Sequence, residues 1–201
     1  MTLRDVPGPR RVLTTEVLHT GMVWDLVRDT VDLGEAGVVR REYVRHPGAV
    51  AILALDEADR VLLVRQYRHP VGAELWELPA GLLDVPGEDH VHAAARELAE
   101  EADLVAGRWW HLVDYLASPG GSDEVVRVFL ARDLTDVPLA DRHVRQAEEH
   151  GMLAERVPLD EAVTAVLEGR VHNPSAVVGV LAAAAARARG WTGLREAEPA
   201  A

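Results

Sequence analysis

Residues Ala49 to Leu55 read AVAILAL, an unbroken apolar run closed by Asp56. The run is too short for a typical helix and shows no alternation, which assigns it to a buried strand. Polar turn residues follow from Asp56 to Arg60, and Val61 to Val64 reads as the returning strand of a hairpin. Val12 to Leu33 is rich in β-branched residues and breaks at Thr20-Gly21, the pattern of a small antiparallel unit. Val38 to Arg45 is a further strand, closed by His46-Pro47-Gly48. Leu112 to Ala117 and Val125 to Ala131 read as two more, separated by Ser118-Pro119-Gly120-Gly121. Leu134 to Glu149 is polar and irregular.

Three segments have helical periodicity. In Glu88 to Ala102, Val91, Ala94, Ala95, Leu98 and Ala102 fall on one stripe with no Gly or Pro between them. Leu159 to Glu168 is stopped by Gly169, and a last helix runs from Asn173-Pro174 to about Arg189. Asn173 is suited to cap that helix and Pro174 to its first turn. Strand pairs and separated helices together predict an α+β or mixed α/β chain. At 201 residues there is room for one domain with a modest extension. The expected division is an N-terminal arm and strand subdomain over 1–46 and a main domain over 47–201.

Composition narrows the chemistry. The chain carries 33 acidic against 21 basic residues, a net charge of -12. That argues against unspecific binding to nucleic acid or to a membrane surface, which both need cationic faces. Every basic residue is Arg, so Schiff-base lysines and a Walker-type lysine are excluded. There is no Cys, which removes thiol nucleophiles, disulfides and thiolate metal sites. Arg187 and Arg189 interrupt the longest apolar run, and the N-terminus lacks the apolar core of a signal peptide. The expectation is a soluble, cytoplasmic protein.

The chemistry then falls to carboxylates, His, Arg or a bound metal. At about 100° per residue, Glu97, Glu100 and Glu101 occupy one sector of the helix beside the apolar stripe. Crowded like charges there are unfavourable, and a hard divalent cation reverses the penalty. A solvated acidic face is the plain alternative. His90 and His92 point to different helix faces, and no His-Glu-any-any-His pattern occurs. Ser118 and Ser122 lie in no nucleophile elbow.

The segment GLLDVPGEDHVHAAARELAEEADL, Gly81 to Leu104, resembles the Nudix box. Glu88, Arg96, Glu97, Leu98, Glu100, Glu101 and Leu104 match it in register. Six residues rather than five separate Gly81 from Glu88, and Asp103 stands where the pattern has Gly. Gln66-Tyr67-Arg68-His69-Pro70, Trp76-Glu77-Leu78-Pro79-Ala80-Gly81 and Pro119, fifteen residues after Leu104, resemble the ADP-ribose pyrophosphatase branch of that superfamily. The resemblance extends over most of residues 15 to 185.

That resemblance implies a Nudix α/β/α sandwich and a Mg²⁺-dependent (or Mn²⁺-dependent) hydrolase that converts ADP-ribose to AMP and ribose 5-phosphate. It implies metal ligation by Glu97, Glu100, Glu101 and the carbonyl of Ala80, with Arg96 and Glu88 as braces. Arg41, Arg68, Trp24 and Pro119 match substrate-contacting positions, and Glu148 or Glu149 matches a loop glutamate that activates water. Relatives are homodimers, so the Val12 to Leu33 unit is expected to meet a second copy, with Trp24 and Arg41 acting in trans. Another nucleoside-diphosphate sugar, or nucleotide sensing without turnover, are the alternative functions.

Overall fold

The computed structural model describes residues 3–144 and 151–198. Two units divide the chain. One runs to Pro47 and also takes in Leu116–Glu124; the other comprises Gly48–Tyr115 and the chain from Val125 onward.

The first unit is built on β1 (Arg11–Thr20), β2 (Asp25–Asp32) and β3 (Val38–Arg45), antiparallel in that order. Val27 on β2 is fully buried, whereas nearly all of β1 is exposed. Backbone pairing explains why Leu116–Glu124 belongs here: Val44 N–H donates to Gly121 O (2.9 Å) and Asp123 N–H to Val44 O (3.2 Å). The Asp123 carboxylate also accepts from the His46 N–H at 2.8 Å. A cut at residue 46 therefore follows the chain but omits this paired loop.

In the second unit the apolar run becomes β4 (Ala49–Ala54). Further strands are β5 (Arg60–Arg68), β6 (Ala73–Glu77), β7 (Ala80–Leu82), β8 (Leu104–Leu116), β9 (Val125–Asp136), β10 (Leu153–Pro158) and β11 (Arg195–Glu196). The helices are α1 (His90–Ala102), α2 (Leu159–Leu167) and α3 (Pro174–Ala188). One sheet has the order β11-β8-β9-β4-β7 and another β10-β5-β6. β4 is parallel to β9 and antiparallel to β7.

The expected hairpin between β4 and β5 does not form. The chain does reverse at Asp56, whose carboxylate accepts from the Ala58 and Arg60 N–H groups. Beyond one isolated bridge, Leu55 to Val61, the strands separate into different sheets. Both are apolar on both faces, so each is satisfied between other partners.

Side-chain alternation along β4 feeds two cores. Val50, Ile52 and Ala54 pack with Val91, Ala94 and Leu98 of α1. Ala51, Leu53 and Leu55 pack with Leu159 and Ala162 of α2 and Val180 and Ala183 of α3. The sheet layer thus lies between α1 and the α2/α3 pair. Gly179 permits this closeness, since a Cβ there would come within 2.6 Å of Leu78 Cδ1. No helix among the described residues is long and apolar enough to cross a membrane.

Candidate active site

α1 begins two residues later than its periodicity suggests. Asp89 is the cap, its carboxylate accepting the Val91 N–H at 2.8 Å, which leaves Glu88 in the loop. The extra loop residue is absorbed by a turn in which Glu88 N–H donates to Val85 O and Gly87 takes a left-handed φ of 80°. At the other end Asp103 adopts the left-handed cap conformation, φ 55° and ψ 34°, and its N–H returns to Ala99 O. The register of the glutamates is therefore fixed at both ends of the helix.

Arg96 ties loop to helix. Its Nε and Nη2 each lie 3.1 Å from a Glu88 oxygen, and its Nη1 reaches Glu97 at 2.6 Å and Glu100 at 3.4 Å. Hydrogen bonding from Arg96 holds the Glu88 carboxyl below the usual carboxylate range. The bonds to Glu88, and then the neighbouring Glu97 charge, push the Arg96 guanidinium upward in turn. The Arg96 cation offsets the repulsion among Glu88, Glu97 and Glu100.

Glu101 is only 5% exposed, and its Oε2 accepts the Ala80 N–H at 2.9 Å. The bond fastens the start of β7 to the last turn of α1. Glu97 lies against Gly81, where any Cβ would overlap its carboxylate. Among the described residues no three acidic or imidazole groups already converge as a metal cluster. The donor chemistry nonetheless fits a hard divalent cation: three carboxylates on one helix sector, no sulfur, and a glycine that leaves room for one of them. Glu97, Glu100 and Glu101 are the residues that would hold it.

Arg68, expected on a phosphate, makes a bidentate pair with Glu77, Nε at 2.9 Å and Nη2 at 2.6 Å. Glu77 is 1% exposed, and no local pattern in the sequence marks it as an inward-pointing carboxylate. Arg41 and Pro119, far apart in sequence, line one cavity of about 520 Å³ in the first unit with Tyr43, Gly121 and Ser122. Arg41 forms no ion pair among the described residues, and its Nη1 donates to Arg40 O. Tyr43 donates to Asp29 at 3.3 Å; burial, and then the Asp29 charge, raise the phenol above its usual range. Trp24 is not in that lining. It is half-exposed beside the turn in which Gly21 N–H donates to Trp24 O. Glu148 and Glu149 lie outside the described residues.

This geometry has relatives. The sequence matches the NUDIX domain over residues 44–177. It is 48% identical over 170 residues to an ADP-ribose pyrophosphatase of Mycobacterium tuberculosis, covering 85% of this chain and 81% of that protein. An ADP-ribose pyrophosphatase of Bacillus subtilis is 34% identical over 163 residues, 81% of this chain and 86% of the relative. Among solved structures, that of an ADP compounds hydrolase superposes with a TM-score of 0.72 at 23% identity, covering 94% of this chain and 99% of its own; this likeness concerns the fold. The domain match embraces the carboxylate helix, the loop braced by Arg96 and the sheet that carries them, and the chain belongs to the Nudix family of hydrolases.

Proposed function

We propose that this Nudix hydrolase is a Mg²⁺- or Mn²⁺-dependent pyrophosphohydrolase that cleaves ADP-ribose to AMP and ribose 5-phosphate. The observation that carries the proposal is its likeness, at nearly half of all aligned positions, to a protein named for that activity. The bound cation would polarise the diphosphate and lower the pKa of an attacking water. Glu97, Glu100 and Glu101 would hold it, with Ala80 supplying a main-chain carbonyl. A water oxygen bonds to one phosphorus while the bridging oxygen leaves with the electron pair of the broken P–O bond. One water proton would pass to a base, for which Glu148 or Glu149 is the candidate. Arg41 and Pro119 would contact substrate from their shared cavity. Trp24 would stack on adenine, whereas the hold on Glu77 favours Arg68 as a brace.

A homodimer belongs to the same proposal, supported by the exposed apolar side chains of Val12, Leu13 and Val17 on β1. The deciding experiment is hydrolysis of ADP-ribose with Mg²⁺, followed by chromatography of AMP, beside a panel of other nucleotide sugars. ADP-ribose is expected to lead the panel by at least about tenfold in kcat/KM, a difference of about 1.4 kcal/mol in transition-state binding. A GDP- or UDP-sugar turned over faster would replace the substrate, and ligand binding without turnover in either metal would replace the activity.

A further inference from the structure

On the α2/α3 side of the sheet layer lies a cavity of about 260 Å³ that the proposed chemistry does not use. Its buried lining is apolar: Leu63 of β5, Ala162 of α2, and Ala176 and Val180 of α3. Trp76 of β6 adds an indole wall. The exposed part of the lining is charged, with Glu155 on β10 and Glu161 on α2. Neither carboxylate has a hydrogen-bond or ion-pair partner among the described residues. The cation on this lining, Arg170, is already held by Glu168 at 2.8 Å. Arg65 stacks on the Trp76 ring at 5.4 Å and is itself paired with Glu74 at 3.2 Å.

We propose that this cavity is a second ligand site, for a small organic cation with an apolar or aromatic body. Size sets the body: a cavity of about 150 Å³ accepts a benzene ring, so this one holds a ring with a short arm. Charge sets the arm. An ammonium group on the charged part of the lining meets two carboxylates to which no cation among the described residues is bonded, Arg170 and Arg65 being paired with Glu168 and Glu74. The body gains from leaving water against Leu63, Val180 and the indole. None of its lining is a residue given a part in the proposed hydrolysis.

Calorimetric titration of the full chain with benzylammonium chloride, benzyl alcohol and benzoate tests the proposal, without added metal. Benzylammonium is expected to bind saturably, at least about tenfold tighter than benzyl alcohol, a margin of about 1.4 kcal/mol, with benzoate weakest. The Glu155→Gln/Glu161→Gln variant, altered only at exposed positions, should lose that margin. Ala165 of α2 also lines the cavity, and Ala165→Phe, which fills it, should abolish binding of both and so exclude attachment to other acidic surfaces. Benzyl alcohol binding as tightly as the amine, an unchanged margin in the double glutamine variant, or no saturable binding would each overturn it.

Discussion

Gly81 and Glu97 compete for one volume, because any side chain on Gly81 would meet the Glu97 carboxylate. The atoms in the way are the far end of a flexible side chain, so Gly81→Ala should move Glu97 and spare the fold. We expect a melting temperature within a few degrees of wild type, with metal-dependent turnover lowered about a hundredfold, as misplacement by an ångström commonly does. Wild-type turnover in this variant would remove Glu97 from the proposed metal set. Glu101→Gln keeps the shape but loses the charge at the best-buried carboxylate of the three, and should cost at least as much activity. Arg68→Ala acts differently. It strands the Glu77 carboxylate in the interior, a loss of about 3 kcal/mol measurable by urea unfolding. The Arg68→Met/Glu77→Leu pair should recover most of that loss. An Arg68→Ala protein of full stability and raised KM would instead return Arg68 to the phosphate. The sequence displays the Arg68 cation without the carboxylate that it meets in the fold. Glu77, nine residues away on the neighbouring strand, faces it only after β5 and β6 pair.

α1 was legible because its period, its caps and its charged sector all agree, and each is a local property. The strands were legible where burial on both faces gives a continuous run, as in β4, and less so at the edges. β10 is an edge strand with an exposed sequence, LAERVP, so it carries neither alternation nor an apolar run. β6 and β7 are short and separated by Leu78-Pro79, which reads as a break rather than as sheet. The partner of an apolar strand is not a local property at all, and so β4 and β5 were wrongly joined. Loop and helix also behave as one titrating element through Glu88 and Arg96. Arg96 lowers the Glu88 pKa in the folded state, so its contribution is complete above the ordinary carboxylate pKa and is lost as pH falls through the depressed value. Glu88→Gln should therefore lower stability at pH 7 and flatten its decline below about pH 4, the unperturbed glutamate range. An unchanged acid limb in pH-dependent thermal melts would remove Glu88 as its source. Asp89→Ala, losing the cap bond to Val91, should cost about 1 kcal/mol by the same melts.

At the scale of the whole molecule, a chain with net charge -12 must overcome repulsion from its own copy before it can pair. The N-terminal sheet has the means. β1 is its outer strand, so one row of N–H and C=O groups is not taken up by β2, and Val12, Leu13 and Val17 are exposed along it. Register irregularities between Val12 and Thr14 and between Val17 and His19 interrupt this edge, so the exposed valines and Leu13, rather than a long strand pairing, are what a second copy would cover. Sedimentation at micromolar concentration should give a species of twice the 21.9 kDa chain mass. Because each copy carries the same excess of negative charge, raising the salt should tighten the dimer, opposite to the response of an interface held by ion pairs. Val17→Asp places a further carboxylate on each copy and should yield monomers with an unaltered second unit. The monomer then tests how the proposed active site is assembled. If Trp24 and Arg41 reach the substrate of the other copy, the Val17→Asp monomer keeps its metal carboxylates yet loses kcat/KM for ADP-ribose. Full activity in the monomer would put both residues to work within their own chain, and a monomeric wild type would overturn the dimer itself.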